Sequence, residues 1–274
     1  MESKDSTELK KVKPNLTNFR IFLTFMKGDT RISDAFRWSF SIDAKITSIG
    51  ILYEEVLTQI PKCLEEFRQT EERGFGEAKE SLILSTKFEN FLNSIYALCE
   101  NLSNIVHQLY RNKVPMRFDD QRKKLLKNRT IDAEYSGIVE KIDWYDEVHS
   151  LRSEATHFLS GLIGIPSPTQ LGYYNFTKSQ GVTKEIKITD IEKFTKELYH
   201  NVMIFVSSYG DHFVKIIEQD SIISQICYIV PKVGIGCRKI SLRDAVNGQA
   251  GICATPNFDC PKKSSCQARQ KRSI

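Results

Sequence analysis

The sequence predicts an all-α protein: a four-helix bundle with a short β-hairpin inserted before the last helix and an irregular, Cys-containing C-terminal tail. Two observations carry this. Four long segments repeat apolar residues at three- and four-residue steps, the period of a helix with one buried face. The alternation that a half-buried sheet requires is confined to one short segment between the third and fourth of them. With 274 residues, 41% hydrophobic and 27% charged, the chain has the composition of an ordinary folded protein and enough length for a sizeable core. These elements divide it into an N-terminal extension over 1–32, a bundle over 33–230 and a basic tail over 231–274.

The first helix is expected from about Ser33 to Ile60, where Phe36, Phe40, Ile46, Ile49, Tyr53, Val56 and Ile60 recur at helical steps. Pro61 should kink or end it, because proline lacks the N–H of the ladder. In the second, Leu84, Phe88, Phe91, Ile95, Leu98, Leu102, Ile105 and Leu109 alternate steps of four and three without a break. The third runs from about Val139 to Ile163, with Val148, Leu151, Ala155, Phe158 and Leu162 as its core stripe and Gly164 and Pro166 at its end. The fourth opens on Thr189 and Glu192 at capping-box spacing and continues through Ile191, Phe194, Leu198, Val202, Phe205, Tyr209, Phe213 and Ile216. Four amphipathic helices of this kind pack as a bundle. Between the last two, Gly172 to Ile188 reads as a hairpin turning at Ser179-Gln180-Gly181. Near the N-terminus, Phe19 to Phe25 suits a small packing strand or helix.

Composition also narrows the function. Residues 1–13 mix Lys with Glu and Asp and hold no signal-peptide core, and the most apolar run, Ile222 to Val230, stops at Pro231, short of a membrane span. Seven cysteines, an odd number, suit a reducing compartment better than a disulfide framework. The expectation is a cytoplasmic protein with no membrane contact. The net charge of +5 is unevenly spread: Arg111 to Arg129 carries eight Lys/Arg against Asp119 and Asp120, and the tail carries nine against Asp244 and Asp259. Two basic segments on an acidic body suit a polyanion such as RNA, with Arg122, Lys123 and Lys124 as candidate contacts; a solvated loop and a loose tail are the alternative. No H-E-x-x-H, P-loop or Gly-rich dinucleotide turn is present. His107, His200 and His212 fall at helical polar positions, where solvated or capping roles are expected.

The third helix is different. Away from its core stripe it places His149, Ser153 and His157 on one polar face, with Arg152 on the flank. Arg, four residues, then His, on the third helix of a four-helix bundle, resembles the HEPN superfamily, whose motif is R-x4-H followed directly after the Arg by a polar residue, here Ser153. The resemblance covers roughly Ser33 to Ile217, and the hairpin looks like an insertion that some members carry. One toxin branch has a Tyr where Gly161 stands here, so regulation through that Tyr is not carried over. The resemblance implies a homodimeric, metal-independent endoribonuclease that needs no cofactor, acts in toxin or antiviral defence, and answers to an antitoxin or regulatory protein. It makes His157 the base for the 2′-hydroxyl, Arg152 the cation on the phosphate and Ser153 a supporting contact, with His149 as a further RNA contact. Such roles suit the residues, since imidazole titrates near neutrality and guanidinium offers paired donors. A catalytically silent HEPN module that binds nucleic acid, a nucleotide or a protein is the alternative. In the tail, Cys237, Cys253, Cys260 and Cys266 lie among Gly, Pro, Asn and Ser; a structural zinc staple and a loose tail with free thiols are the two readings.

Overall fold

The computed structural model describes residues 14–111, 113–157, 161–167, 169–179, 182–217, 222–230, 234–247 and 252–254. Among these the chain is mostly helical, with two small antiparallel sheets. Helix α1 (Thr17–Phe25) runs into a short 3₁₀ turn (Met26–Gly28). The long α2 (Ala35–Arg73) and α3 (Lys79–Leu109) then lie side by side. Short helices α4 (Phe118–Lys127) and α5 (Ala133–Glu140) precede α6 (Trp144–His157). Strands β1 (Leu162–Ser167), β2 (Gln170–Ser179) and β3 (Val182–Ile188) form the first sheet in that order. Helix α7 (Ile191–Ile216) returns through the core. The second sheet is β4 (Ile222–Val230), β5 (Gly234–Ser241) and β6 (Ile252–Cys253), with α8 (Leu242–Val246) between its last two strands.

Helix α3 is the axis of the core. Its Leu84, Phe88, Phe91, Ile95, Leu98, Leu102 and Ile105 are fully buried, as the uninterrupted stripe predicts. They meet Ile42, Ile49 and Val56 of α2 and Val202, Val206, Tyr209 and Phe213 of α7 in one cluster. Helix α1, from the span assigned to the N-terminal extension, joins this cluster through Phe19, Phe22, Leu23 and Phe25 and lies along α7. The two helices touch closely at Gly210, where a Cβ would come within 2.4 Å of Phe19 Cα. No helix among the described residues is long and apolar enough to cross a membrane.

Six expectations are corrected, four of them in the course of the chain. First, α2 does not end at Pro61 but continues to Arg73. The reason lies at the start of α3, whose N-cap Ala78 has no side-chain acceptor. Glu66, beyond the proline on α2, takes the orphan N–H groups of Glu80 (2.8 Å) and Ser81 (2.9 Å) instead. Burial pushes the Glu66 carboxyl up, but these bonds and that of the Ser81 hydroxyl leave it below its ordinary value. Gly74, at φ +75°, then closes α2 in the left-handed conformation. Second, Phe36 and Phe40 do not enter the core; they are 65% and 60% exposed. Third, the single helix over Val139–Ile163 is two helices and a strand. Asp143 accepts the Trp144 N–H at 2.8 Å as α6 begins, and Leu162, Gly164 and Pro166 belong to β1, which pairs Leu162 with Tyr174 and Ile163 with Tyr173. The hairpin is thereby a three-stranded sheet. Fourth, the stretch after Pro231 is not irregular throughout, since β5 pairs with β4 across that point and β6 with β5. At α7 the cap is Asp190, which accepts the Lys193 N–H at 2.9 Å, rather than Thr189.

His212 is likewise neither solvated nor a cap. It is buried, with Nε2 2.6 Å from Asp132 Oδ2 and Nδ1 3.2 Å from Glu134 Oε2, so it ties α7 to α5. Tyr110 also donates to Asp132, which in turn caps α5 through the Tyr135 N–H. Burial pushes the His212 pKa down, but Asp132 and Glu134 push it up by more, and the net direction is upward. For Asp132, burial raises the pKa and the bonds from His212, Tyr110 and the Tyr135 N–H more than offset that, so the net direction is downward.

Two predictions follow from this packing. Gly210→Ala should force α1 off α7 and cost about 1–3 kcal/mol in chemical unfolding, as overpacking does. For the ion pair, the raised His212 contributes stability fully below the unfolded value of about 6.5, and loses it as pH rises through the folded value. The lowered Asp132 contributes stability above about 3.9 and loses it as pH falls through its folded value. His212→Ala should therefore cost about 3–5 kcal/mol near pH 6, where Asp132 would be left buried without its counter-charge. By pH 9 the difference from the wild type should have narrowed; a pH-independent difference would contradict the pairing.

Candidate functional site at the α3–α6 seam

Tyr145, His149 and Arg152 stand at i, i+4 and i+7 on α6, so they share one flank, beside the core-facing Val148 and Leu151. Opposite them, Glu89, Asn93, Tyr96 and Glu100 repeat at steps of four, three and four along α3, beside its apolar stripe. The two rows meet as a polar and aromatic seam. Asn93 Oδ1 accepts the Arg152 Nε–H at 3.3 Å, and the guanidinium lies 4.6 Å from the centre of the Tyr96 ring. His149 stacks on Tyr96 (5.6 Å) and on Tyr145 (6.0 Å). The Arg122 guanidinium of α4 is 6.0 Å from the Tyr145 ring. Tyr96 and Tyr145 also stack on each other at 6.2 Å, so the three rings form one cluster, with Arg152 against Tyr96 and Arg122 against Tyr145.

Carboxylates brace both ends of the row on α3. Glu100 Oε1 lies 3.4 Å from both the Tyr145 hydroxyl and the Phe118 N–H. Burial, then Glu100, raises the Tyr96 phenol pKa. Glu89 accepts from the Gly161 N–H at 2.7 Å and the Tyr173 hydroxyl at 2.9 Å, while the Ser85 hydroxyl donates to the Gly161 carbonyl at 2.7 Å. Gly161 is required here, because a Cβ would meet the Tyr173 ring at 2.0 Å. The chain beyond α6 is thereby clamped to α3.

The sequence-predicted residues fall into three groups. Arg152 and Ser153 are half-buried on α6, and His157 is its last residue, with a side chain outside the described set. His149, half-buried like Ser153, is taken up by the seam through its two stacking contacts. On α4, Arg122 is 14% exposed and pairs with Asp146 at 2.7 Å, so its charge anchors α4 to the first turn of α6. Lys123 pairs on the surface with Asp119 at 2.6 Å, and Lys124 is exposed. Of the tail cysteines, Cys260 and Cys266 lie outside the described residues. Cys237 and Cys253 are reduced and half-buried. Because Arg238 is the register partner of Cys253, Cys237 and Cys253 point to opposite faces of the β5–β6 ladder. Among the described residues no group of three His, Cys, Asp or Glu side chains gathers at metal-binding distance.

Sequence reasoning missed Glu89, Asn93, Tyr96, Glu100 and Tyr145, and passed over Glu154, a buried carboxylate two residues after Arg152. The row on α3 was detectable in principle, because its positions shadow the apolar stripe at heptad-like spacing. Comparisons with protein-family models, curated proteins and solved structures gave no match to the chain.

The register carries a prediction for the tail. If zinc is bound there, Cys237→Ser and Cys253→Ser should not both remove metal. A loss of about one equivalent in each of the two variants, purified after metal-replete expression, would require a rebuilt ladder.

Proposed function

We propose that the chain is a metal-independent endoribonuclease of HEPN type, with Arg152 and His157 of α6 as its catalytic residues. One observation carries the reading. Arg152 is positioned by neutral groups, the Asn93 carbonyl and the Tyr96 ring, and no described carboxylate pairs with it. A structural arginine in a folded body is ordinarily neutralised, as Arg122 is by Asp146. A guanidinium held in place with its charge uncompensated suits an anionic ligand, and a phosphodiester matches its fork of donors.

In this reading the His157 imidazole takes the proton of the 2′-hydroxyl, and the 2′-oxygen attacks phosphorus. The bond to the 5′-oxygen breaks as a proton reaches that oxygen, leaving a 2′,3′-cyclic phosphate and a 5′-hydroxyl. Arg152 stabilises the negative charge that grows on the phosphoryl oxygens. A second copy across the motif face would exclude water from the groove, and DNA, which has no 2′-hydroxyl, would not be cut.

The test is fragment release from single-stranded RNA in EDTA, with end-group analysis. His157→Ala should slow cleavage roughly 10²- to 10⁴-fold with little change in RNA binding. Arg152→Ala should also slow it, Arg152→Lys should restore only part, and Ser153→Ala should be the mildest of the motif variants. Asn93→Ala and Tyr96→Leu, which loosen the guanidinium without removing it, should fall between Ser153→Ala and Arg152→Ala. Full activity in folded His157→Ala would remove that residue from the mechanism, and failure of the wild type to cut any RNA would favour a binding module.

A further inference from the structure

Helix α2 has a second apolar face. Its core stripe includes Ile42, Ile49, Val56 and Ile60, all buried. At roughly 100° per residue, Phe36, Phe40, Ala44, Thr47 and Ile51 form another stripe on the opposite side, over about 22 Å of helix. All five are exposed, Phe36 at 65%, Phe40 at 60% and Ile51 at 55%. The Thr47 hydroxyl is bonded to the Asp43 carbonyl at 3.0 Å, so that residue offers the stripe its methyl group. Lys27 lies over the aromatic end, 5.2 and 5.4 Å from the two ring centres.

The stripe is symmetric about the point between Asp43 and Ala44. A two-fold axis there, with helices antiparallel, sets Phe36 against Ile51 of a second copy and Phe40 against Thr47, and brings the small Ala44 to the crossing. Every apolar position then meets a complementary one, the condition an isologous contact imposes. On one flank, Arg37 and Glu55 of opposite copies come about 7.5 Å apart along the axis, within reach of their long side chains. On the other flank, Asp43 comes close to its own counterpart. We propose that α2 pairs with α2 of a second copy in this antiparallel register. The contact is separate from the seam, because α3 lies between α2 and α6, and it does not depend on the ribonuclease reading. A stripe this short buries less than a standard interface, so dissociation constants on the order of 10–100 µM are expected.

Sedimentation equilibrium on the full chain, from about 10 µM to 1 mM so as to bracket that range, tests the proposal. Self-association of the wild type should weaken about 100-fold or more in Phe40→Asp/Ile51→Asp, with helicity unchanged by circular dichroism, since neither side chain is in the core. If a motif-face contact also forms, the double variant should stop at the motif-face dimer while the wild type associates beyond it. Asp43→Asn, which leaves the stripe intact, should tighten association about twofold by relieving the like-charge contact. A wild type that stays monomeric throughout, a double variant that associates as the wild type does, or an Asp43→Asn variant that associates no better would each overturn the proposal. RNA cleavage per protomer is a separate readout, and its loss or retention bears only on the seam.

Discussion

Everything in this fold depends on α3 serving two neighbours of different chemistry at once. Its apolar stripe is buried against α2 and α7, where removal of side chains from water supplies the largest favourable contribution. One step round the helix, Glu89, Asn93, Tyr96 and Glu100 face α6. A helix buried on two sides usually becomes apolar all round, and here it does not. Glu89 is bonded at Gly161, Asn93 to Arg152 of α6, and Glu100 lies against the Tyr145 hydroxyl and the Phe118 amide, which avoids the desolvation penalty of burial. The seam therefore specifies rotation and register of α6 in a way that an apolar contact, which tolerates sliding, would not.

The α3 stripe and the α7 stripe were legible because they are long and strictly periodic, and helical periodicity is a property of local sequence. What failed was decided elsewhere in the chain. Nothing near Pro61 says that α2 continues; the requirement comes from the uncapped start of α3, which Glu66 satisfies from beyond the proline. Phe36 and Phe40 have the right spacing for a core face, but periodicity does not say which of two apolar faces is covered. The strand after α6 rests on pairing with Tyr173 and Tyr174, ten or more positions on.

Polar sites were harder to read than apolar ones for a related reason. His212 and Asp132 are separated by 80 positions, and neither has a local signature that distinguishes a buried ion pair from two surface residues. Arg152 was found because its spacing to His157 sits within one helix. Its holders were not, because Asn93 and Tyr96 become significant only once α3 and α6 are set side by side.

The two arginines against the ring cluster show how similar local contacts can have different charge partners. Both guanidinium groups lie against a tyrosine, Arg122 at 6.0 Å and Arg152 at 4.6 Å. Arg122 has Asp146 at 2.7 Å, so its field is largely cancelled within a few ångströms and its role is to hold α4. Arg152 has an amide oxygen and a ring, which fix its position without cancelling its charge. Orientation and neutralisation are separate tasks, and a carboxylate performs both at once. Arg152 is held by a dipole and a π face, Asn93 and Tyr96, where Arg122 is held by a carboxylate.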